Sequence, residues 1–326
     1  MSYTDDALDI LSQIRSDNTK IKLKRYEEVK RQIPQIAEID RKRTDLISKL
    51  SFILSLDADN KSDMIDELNK ENSEVQTAAK KLLIDNGYPN DYLDDIYSCS
   101  KCRDTGFTNF EMCSCLKQII HRIKSAKLSE SLPMGNICFD NFNLDNYSNT
   151  PKPELKGLSP RAIMQKNYDY CKQYAEDFGT LSDSIFMSGG TGLGKTHLSL
   201  SIAKAVISKG YSAVYGSVPD LLRRVENAHF GKSNEADALD TLKTVDLLVL
   251  DDLGAEFSSP FYISALYDII NARLSYHKPL IVSTNLTFSE LIKRYEDRIA
   301  SRLLSMNHLT FKGSDIRILS KYSRNG

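Results

Sequence analysis

A glycine-rich segment at residues 189–196 has the composition and spacing of a phosphate-binding loop. It reads GGTGLGKT, follows the apolar run SIFMS and opens the helical pattern THLSLSIAKAVIS. Glycines let backbone amides approach phosphate oxygens, and a helix N-terminus adds a favourable dipole. A glycine-rich turn without a ligand is the alternative, and the strand and helix around the segment argue against it. We expect nucleotide contacts from Gly189, Gly190, Thr191, Gly192, Leu193, Gly194, Lys195, Thr196 and His197.

Two acidic residues follow a second apolar run further along the chain. The run DLLVLDD ends in Asp251 and Asp252, and α/β proteins bind ligands at the carboxyl edge of the sheet. Lys195 would reach the β- and γ-phosphates of ATP, whereas Thr196 and Asp251 would hold Mg²⁺, the latter through water. Asp252 is placed to orient or deprotonate the water that attacks ATP. The pattern predicts a site for ATP and magnesium.

Four cysteines form a second candidate site. Cys99 and Cys102 make a CxxC pair, and Cys113 and Cys115 make a CxC pair after ten intervening residues. Thiolates at this spacing can converge on one tetrahedral Zn²⁺ without an open position for substrate, which predicts a structural zinc knuckle. Gly106 would permit the tight turn in which amides approach sulfur. An iron–sulfur cluster and a redox-active pair are the alternatives.

Helical periodicity dominates the N-terminal third. Apolar residues recur at three- and four-residue steps from about Lys22 to Leu54, which predicts one long amphipathic helix that Pro34 should kink or restart. A second helix is expected from near Ser62 until Asn86-Gly87 closes it. Together they suggest an antiparallel hairpin, which could recognise a partner helix or simply pack on itself.

Beyond Asp183, short apolar runs alternate with helical stretches, as in SIFMS, SAVYG, DLLVLDD and PLIVSTN. This alternation is typical of buried parallel strands in an α/β sheet. The stretch from Tyr147 to Pro160 is rich in Pro, Ser and Asn and predicts a loop. We expect four segments: a helical hairpin over 1–95, a zinc knuckle with a connecting helix over 96–136, a linker and entry to the core over 137–182, and the α/β core over 183–326.

Composition narrows the class of protein. The 326 residues are 41% hydrophobic and 27% charged with a net charge of −1, so any contact with nucleic acid must come from a local patch. No apolar stretch approaches the ~20 residues that cross a bilayer, and the N-terminus lacks the pattern of a signal peptide. We therefore expect a cytoplasmic protein without membrane contact. Cys138 and Cys171 are expected to be small buried residues.

Four motifs together resemble the AAA+ helicase-loader family of the DnaC and DnaI type. They are GGTGLGKTHL, LLVLDDLGAE, IVSTNLTFSEL and DRIASRLL, and the resemblance covers roughly Ile137 to the C-terminus. It implies an α/β AAA+ core with a P-loop and a parallel sheet, preceded here by the helical hairpin and the zinc knuckle. About forty residues follow Asn285, too few for the helical lid domain of most AAA+ proteins, a truncation that loaders share.

The resemblance also implies roles for further residues. Asn285 matches the sensor I asparagine that detects the γ-phosphate, with a turn cap as the alternative. Arg302, or the nearby Arg298, matches the arginine finger that acts on the nucleotide of a neighbouring subunit. The segment FKGSDIR resembles the family's short C-terminal strand and sensor II, which implies that Arg317 contacts phosphate within its own subunit. Asp252 stands where many AAA+ proteins have Glu, which implies slow turnover.

The function implied by the resemblance is an ATPase that loads a hexameric replicative DNA helicase onto single-stranded DNA, with ATP, Mg²⁺ and Zn²⁺ as cofactors. Hairpin and knuckle stand where the family has its helicase-binding module, and an arginine acting in trans implies self-association through the ATP site. Arg223, Arg224 and Arg273 are candidate DNA contacts, with solvated helix charge as the alternative. Alternative functions are an IstB-type transposition helper and an ATP-gated adaptor with little hydrolysis.

Overall fold

The computed structural model describes residues 3–55, 61–128, 137–231 and 238–317, apart from the side chain of Glu296. The chain forms two compact units, Met1–Leu116 and Lys117–Gly326. Within the described ranges, no helix combines the length and the apolar character needed to cross a bilayer.

The first unit is built mainly from three helices. α1 spans Tyr3–Gln32, α2 spans Ile36–Ser55 and α3 spans Lys61–Asp85. α2 and α3 pack against each other, as expected for the predicted hairpin. Their shared core, which also includes the end of α1, consists of Val29, Ile33, Ile36, Ile39, Ala79 and Leu83.

Pro34 separates α1 from α2. The prediction of one helix from Lys22 to Leu54 was wrong, and the alternative of a new start at the proline is correct. Proline lacks the amide hydrogen that a continuous helix needs, so α1 ends at Gln32 and α2 begins at Ile36. α1 also extends back to residue 3, which the apolar pattern did not indicate because few of its residues are buried.

A small antiparallel pair of strands follows α3. β1 (Phe107–Thr108) pairs with β2 (Glu111–Met112), and α4 (Ser114–Leu128) begins directly afterwards. Gly106, at φ 85°, precedes β1 and lies against Leu11 of α1. A Cβ at this position would lie 3.0 Å from the Leu11 side chain. The first half of α1 therefore covers the cysteine-rich loop.

The second unit contains a five-stranded sheet in which all neighbouring strands run parallel. The strands lie in the order β4-β5-β6-β3-β7 and span Ile185–Ser188 (β3), Ala213–Ser217 (β4), Leu247–Leu253 (β5), Leu280–Thr284 (β6) and Asn307–Thr310 (β7). The first four are the runs predicted from the sequence, so the parallel α/β fold is confirmed.

The last strand differs from the prediction. β7 ends at Thr310, so the segment FKGSDIR follows the strand rather than forming it. Asn307 and His308 of this edge strand are exposed, and such a strand leaves no apolar run in the sequence. From Phe311 to Arg317 the chain forms no helical domain.

Helices cover both faces of this sheet. Besides the second part of α4, they are α5 (Pro160–Glu176), α6 (Lys195–Ser208), α7 (Val218–His229), α8 (Ala238–Thr244), α9 (Pro260–Ser275) and α10 (Phe288–Leu304). Ser159, Ser217 and Ser259 cap α5, α7 and α9, and proline follows in the first turn of each. Such a cap stabilises a helix by about 1 kcal/mol. The predicted loop from Tyr147 to Pro160 is present and leads into α5.

β5 is buried on both faces. Leu248 and Leu250 belong to the core beneath α7, α9 and α10, whereas Leu247 and Val249 belong to the core beneath α5 and α6. Because successive side chains of a strand point to opposite faces, two cores require an uninterrupted apolar run. The run ends at the edge of the sheet where the paired acids lie.

The two cysteines outside the cluster differ from each other. Cys171 on α5 is fully buried, as predicted. Cys138 is exposed, so its predicted burial was wrong. It precedes a short 3-10 turn, Phe139–Asn141.

Candidate nucleotide and metal sites

The glycine-rich segment forms a tight loop between β3 and α6. Gly189, at φ 149°, lies against Phe311, where a Cβ would come within 2.5 Å of the carbonyl oxygen. Gly194, at φ 89°, lies against Tyr147, where a Cβ would come within 2.8 Å of the hydroxyl. Both positions therefore require glycine. The loop ends at the N-terminus of α6, where amides without helical partners can bind phosphate oxygens.

Lys195 begins α6, and its ammonium lies inside the loop. Nζ donates to the carbonyl oxygens of Gly189 and Gly190 and to Oδ1 of Asn285, each at 2.7 Å. Burial lowers the pKa of Lys195 to about 8, against the opposing attraction of Asp251 and Asp252. A buried cation with neutral partners can gain strongly from an arriving phosphate.

Asp251 is a buried carboxylate held by three hydroxyl groups. Its Oδ2 accepts hydrogen bonds from Tyr215 at 2.6 Å and from Thr196 at 2.9 Å, and its Oδ1 accepts one from Ser283. Tyr215 lies on β4 and Ser283 on β6, so both neighbouring strands orient the carboxylate. Thr196 and Asp251, which we predicted to share a magnesium ion, are adjacent.

Asp252 adopts a backbone conformation that few non-glycine residues adopt. Its φ is 62°, at an irregularity in the pairing of β5 with β6. Its amide donates to Ser283 Oγ at 3.0 Å, and its Oδ1 accepts from Asn285 Nδ2 at 2.7 Å. Burial and then the Asp251 charge raise the pKa of Asp252, which makes it a better proton acceptor near neutral pH. Strain of this kind is retained where surrounding contacts impose it, often at functional sites.

The predicted nucleotide residues meet around a cavity of about 510 Å³. Most of the predicted residues line it, namely Thr191, Gly192, Leu193, Gly194, Lys195, Thr196, His197, Asp251, Asp252, Asn285 and Arg317. Gly189 and Gly190 instead accept hydrogen bonds from Lys195. The volume lies within the range of small-molecule sites.

Four lining residues were not predicted: Ile137, Ser217, Ser283 and Ile316. Ser217 ends β4 and Ser283 lies near the end of β6. Because ligands bind at the carboxyl edge of parallel strands, a search of all strand ends could have found both serines. The two isoleucines lie outside regular strands and carry no local signal of a binding site.

The chain before α5 packs onto the phosphate-binding loop. The Tyr147 hydroxyl donates to the Leu193 carbonyl at 3.0 Å, and the His197 ring nitrogen Nε2 lies 2.8 Å from the Cys138 carbonyl oxygen. The rings of Phe142 and His197 form a T-shaped contact, with their centroids 5.1 Å apart. His197 therefore supports this packing as well as lining the cavity.

The segment after β7 covers the loop from another side. Ile316 donates its amide to the Gly192 carbonyl at 3.0 Å. A Cβ on Gly192 would lie 1.8 Å from Oδ1 of Asp315, so the carboxylate occupies the space that a side chain would need. Asp315 also accepts the amide of Arg317 at 2.9 Å. These contacts bring Arg317 to the cavity wall.

Arg302 and Arg298 lie on α10 and are not among the residues that line the cavity. Arg302 donates twice to Asn271 Oδ1, at 2.7 and 3.0 Å, and lies over the Tyr267 ring at 4.8 Å from its centroid. Arg298 is exposed. That either arginine acts on the nucleotide of a second subunit stays a prediction.

One candidate DNA contact is corrected by the structure. Arg273 is fully buried, and its guanidinium donates to the carbonyl oxygens of Leu242, Val245 and Pro279. It therefore joins α8, α9 and the start of β6 and cannot reach DNA. Its charge suggested exposure because surface arginine is common, but an arginine can be buried where backbone carbonyls accept hydrogen bonds from its terminal nitrogens.

The other two DNA candidates lie on α7 and stay predictions. Arg223 is exposed and pairs with Asp220 one turn earlier. Arg224 is half-buried and donates to the Lys127 carbonyl at 3.0 Å. An exposed ion pair of this kind contributes little to stability, which leaves Arg223 available for other contacts.

The four clustered cysteines converge in the first unit. Every pair of their sulfur atoms lies within 4.8 Å. Cys99 and Cys113 are 3.8 Å apart, and Cys102 and Cys115 are 3.3 Å apart. Tetrahedral zinc with bonds of about 2.3 Å separates its sulfurs by roughly 3.8 Å. An iron–sulfur cluster places irons and sulfides between the thiolates and would hold them further apart. The geometry fits a single zinc ion better.

Hydrogen bonds around the cluster also suit thiolates. The Gly106 amide lies 3.4 Å from Cys102 Sγ, as the predicted turn requires. Backbone amides lower the pKa of Cys99, and that of Cys113 to about 6, whereas burial raises the pKa of Cys115. The buried Asp104 carboxylate accepts the amide of Cys99 at 2.7 Å and thereby fixes the loop.

Comparison with known proteins agrees with the nucleotide site. Residues 172–318 match the family described as IstB-like ATP binding protein. The replicative helicase loader DnaC of Escherichia coli K12 is 26% identical over 170 residues, or 52% of this chain and 65% of the relative. DnaC of Buchnera aphidicola subsp. Acyrthosiphon pisum is 28% identical over 207 residues, or 62% of this chain and 80% of the relative. A crystal structure of the DnaC helicase loader is 25% identical with a TM-score of 0.44, covering 53% of this chain and 98% of that chain.

The phosphate-binding loop, the paired acids at a strand end and the parallel sheet define an ATP-binding P-loop protein of the AAA+ class. Within that class, residues 172–318 match the IstB-like ATP binding proteins, and the chain is similar to the DnaC helicase loaders. The matched part spans 65% of the length of the E. coli relative, which is less than two thirds.

Proposed function

We propose that this protein is an ATPase that loads a ring-shaped replicative DNA helicase onto single-stranded DNA. The observation that carries the ATPase assignment is the convergence of Lys195, Asp251, Asp252 and Asn285 in one cavity. The similarity to DnaC proteins, which are named replicative helicase loaders, supports the choice of helicase as partner.

In this proposal each residue has a defined task in nucleotide binding. Bound magnesium would neutralise charge that develops on the transferred phosphoryl group. Thr196 and Asp251 would hold the ion, and Lys195 would exchange its carbonyl partners for phosphate oxygens. That exchange would release Asn285 toward the γ-phosphate and the attacking water. Asp252, with its raised pKa, would accept the proton.

The arginines would divide between two subunits. Arg317 would contact phosphate within its own chain, since it already lines the cavity. Arg302, with Arg298 as the alternative, would reach the nucleotide of a neighbouring copy and stabilise negative charge there. Self-association through the ATP site follows from this division.

Nucleotide affinity should fall as pH rises above about 8. Burial lowers the pKa of Lys195 to about 8 in the free site, and bound phosphates would raise it again. Below this pKa the lysine is already charged, so affinity should be constant. Above it, binding must take up a proton, and the affinity should decline by up to about 10-fold per pH unit. Fluorescent ATP titrated at pH 7 to 9.5 measures this, and a flat profile would contradict it. Lys195→Arg, charged throughout, should remove the decline.

We also propose that Cys99, Cys102, Cys113 and Cys115 hold a structural Zn²⁺. The ion would cross-link the loop between α3 and α4, in which the two strands have two residues each. Four thiolates would complete the coordination, so the ion would stabilise structure without reacting with substrate.

The first unit is proposed to bind the helicase. Near the C-terminal end of α2, Ile47, Phe52 and Leu54 are 65%, 63% and 57% exposed. Large apolar side chains that are exposed in this way can contact a partner protein. We therefore expect Phe52→Asp to weaken helicase binding by at least about 10-fold, the effect of losing a well-buried interface residue.

Co-sedimentation with the hexameric replicative helicase of the same cell tests this proposal. Wild type and Lys195→Ala should both bind, since the contact does not require the P-loop. Leu181→Asp alters a leucine of the second unit that is 80% exposed, and this variant should bind like wild type. If wild type fails to sediment with the helicase in ATP, the loader assignment is wrong.

A transposition helper is the second candidate function. The match of residues 172–318 to the IstB-like family favours it, because that description covers the same ATP-binding core. Co-sedimentation with a transposase and duplex DNA distinguishes it from the loader. An ATP-gated adaptor would instead bind ATP without measurable release of phosphate.

A further inference from the structure

The orientation of Asp251 depends on a residue outside the cavity. Tyr215 donates its phenolic hydrogen to Oδ2 of Asp251 at 2.6 Å. It does not belong to the residues that line the cavity, and only 6% of it is exposed. Its hydroxyl is therefore placed to act on a ligand through the carboxylate and not by direct contact.

The three hydroxyl partners of Asp251 differ in what else they must do. Thr196 lines the cavity, and its oxygen has lone pairs that can bind a metal while its hydrogen remains on Asp251. Ser283 lines the cavity and also accepts the Asp252 amide. Tyr215 has no role at the cavity surface. Its bond fixes Oδ2 from the side of β4, opposite Ser283 on β6.

We propose that Tyr215 is a positioning residue that holds the Asp251 carboxylate in the orientation that binds Mg²⁺, and so sets the magnesium affinity of the nucleotide complex. The inference rests on the proposed function, in which this site binds ATP with magnesium. A carboxylate fixed before the ion arrives loses less conformational freedom on binding, and a freed carboxylate binds more weakly.

Tyr215→Phe removes the hydroxyl and keeps the ring. In the full-length chain, the complex with a fluorescent ATP analogue is titrated with Mg²⁺. We expect the Mg²⁺ concentration that half-saturates this complex to rise about 10-fold, the usual effect of losing a hydrogen bond to a charged group. Affinity for the analogue in EDTA should stay unchanged. Tyr174→Phe is the matched control, because it removes a hydroxyl that donates to the Asp183 carbonyl at 2.8 Å, away from the cavity. It should alter neither value.

A second pair of variants separates positioning from general loss of structure. If Tyr215 acts through Asp251, then Tyr215→Phe should have no further effect on magnesium affinity in an Asp251→Asn background. An equal loss of analogue affinity in EDTA, an unchanged magnesium midpoint, or full additivity with Asp251→Asn would each overturn the inference. Failure of the proposed function shows elsewhere, as a wild type whose binding of the analogue does not respond to Mg²⁺.

Discussion

Replacing Lys195 by alanine is expected to weaken binding of ATP with magnesium by about 100-fold and to stop its hydrolysis. The ammonium has its hydrogen-bond partners at 2.7 Å inside the loop and is nearly buried there. Truncating one partner of a buried, charged hydrogen-bonded pair costs about 3 kcal/mol, which is about 100-fold in affinity. Equilibrium titration with a fluorescent ATP analogue measures the binding, and release of phosphate measures the turnover.

Lys172→Ala is the matched control for this experiment. Lys172 is an exposed lysine on α5, and its replacement changes the net charge by the same amount. We expect wild-type affinity from this variant and similar melting temperatures for both variants. An Lys195→Ala protein that binds the nucleotide as tightly as wild type would show that the glycine-rich loop is not the phosphate site.

Replacing Cys113 by serine is expected to abolish zinc binding and unfold the loop around the cluster. Structural zinc in a small knuckle contributes about 10 kcal/mol of apparent binding free energy, far more than its short strands can replace. Metal content by atomic emission should fall from one zinc per chain to a small fraction. Hydrogen exchange should accelerate at the amides of Cys99 and Cys113, which bond to Asp104 and to the Gly106 carbonyl.

Cys138→Ser provides the control for the metal experiment. Cys138 is exposed and lies outside the cluster, so zinc content and exchange should match wild type. If the wild type instead contains iron and absorbs visible light, the four cysteines hold an iron–sulfur cluster and the zinc proposal is wrong. If the Cys113→Ser protein retains its zinc, Cys113 is not a zinc ligand.

Much of the nucleotide site could be predicted because its signals are local. The glycine spacing before Lys195 and the acids after an apolar run each lie within one strand–turn unit, and parallel strands bring their ends together. The spacing of the cysteines was informative for the same reason. These patterns predicted the first four strands of the sheet and most of the residues that line the cavity.

Other features depend on contacts between distant parts of the chain. The carbonyl groups that accept hydrogen bonds from Arg273 lie in two segments, one with Leu242 and Val245 and one with Pro279, and no sequence pattern around this arginine indicated its burial. Tyr215 reads as an ordinary strand residue, and its bond to Asp251 depends on the register of β4 and β5. Cys138 shows the converse, since a residue type that is often buried is exposed here.

The segment that follows β7 connects the phosphate-binding loop mechanically to the end of the described chain. Phe311 lies against Gly189, Asp315 lies against Gly192, and the Ile316 amide bonds to the Gly192 carbonyl. Tension applied to the chain beyond Arg317 would therefore reach the loop through this hydrogen bond and these two close contacts. A load on that side of the molecule would change the lifetime of bound nucleotide without any effector entering the cavity.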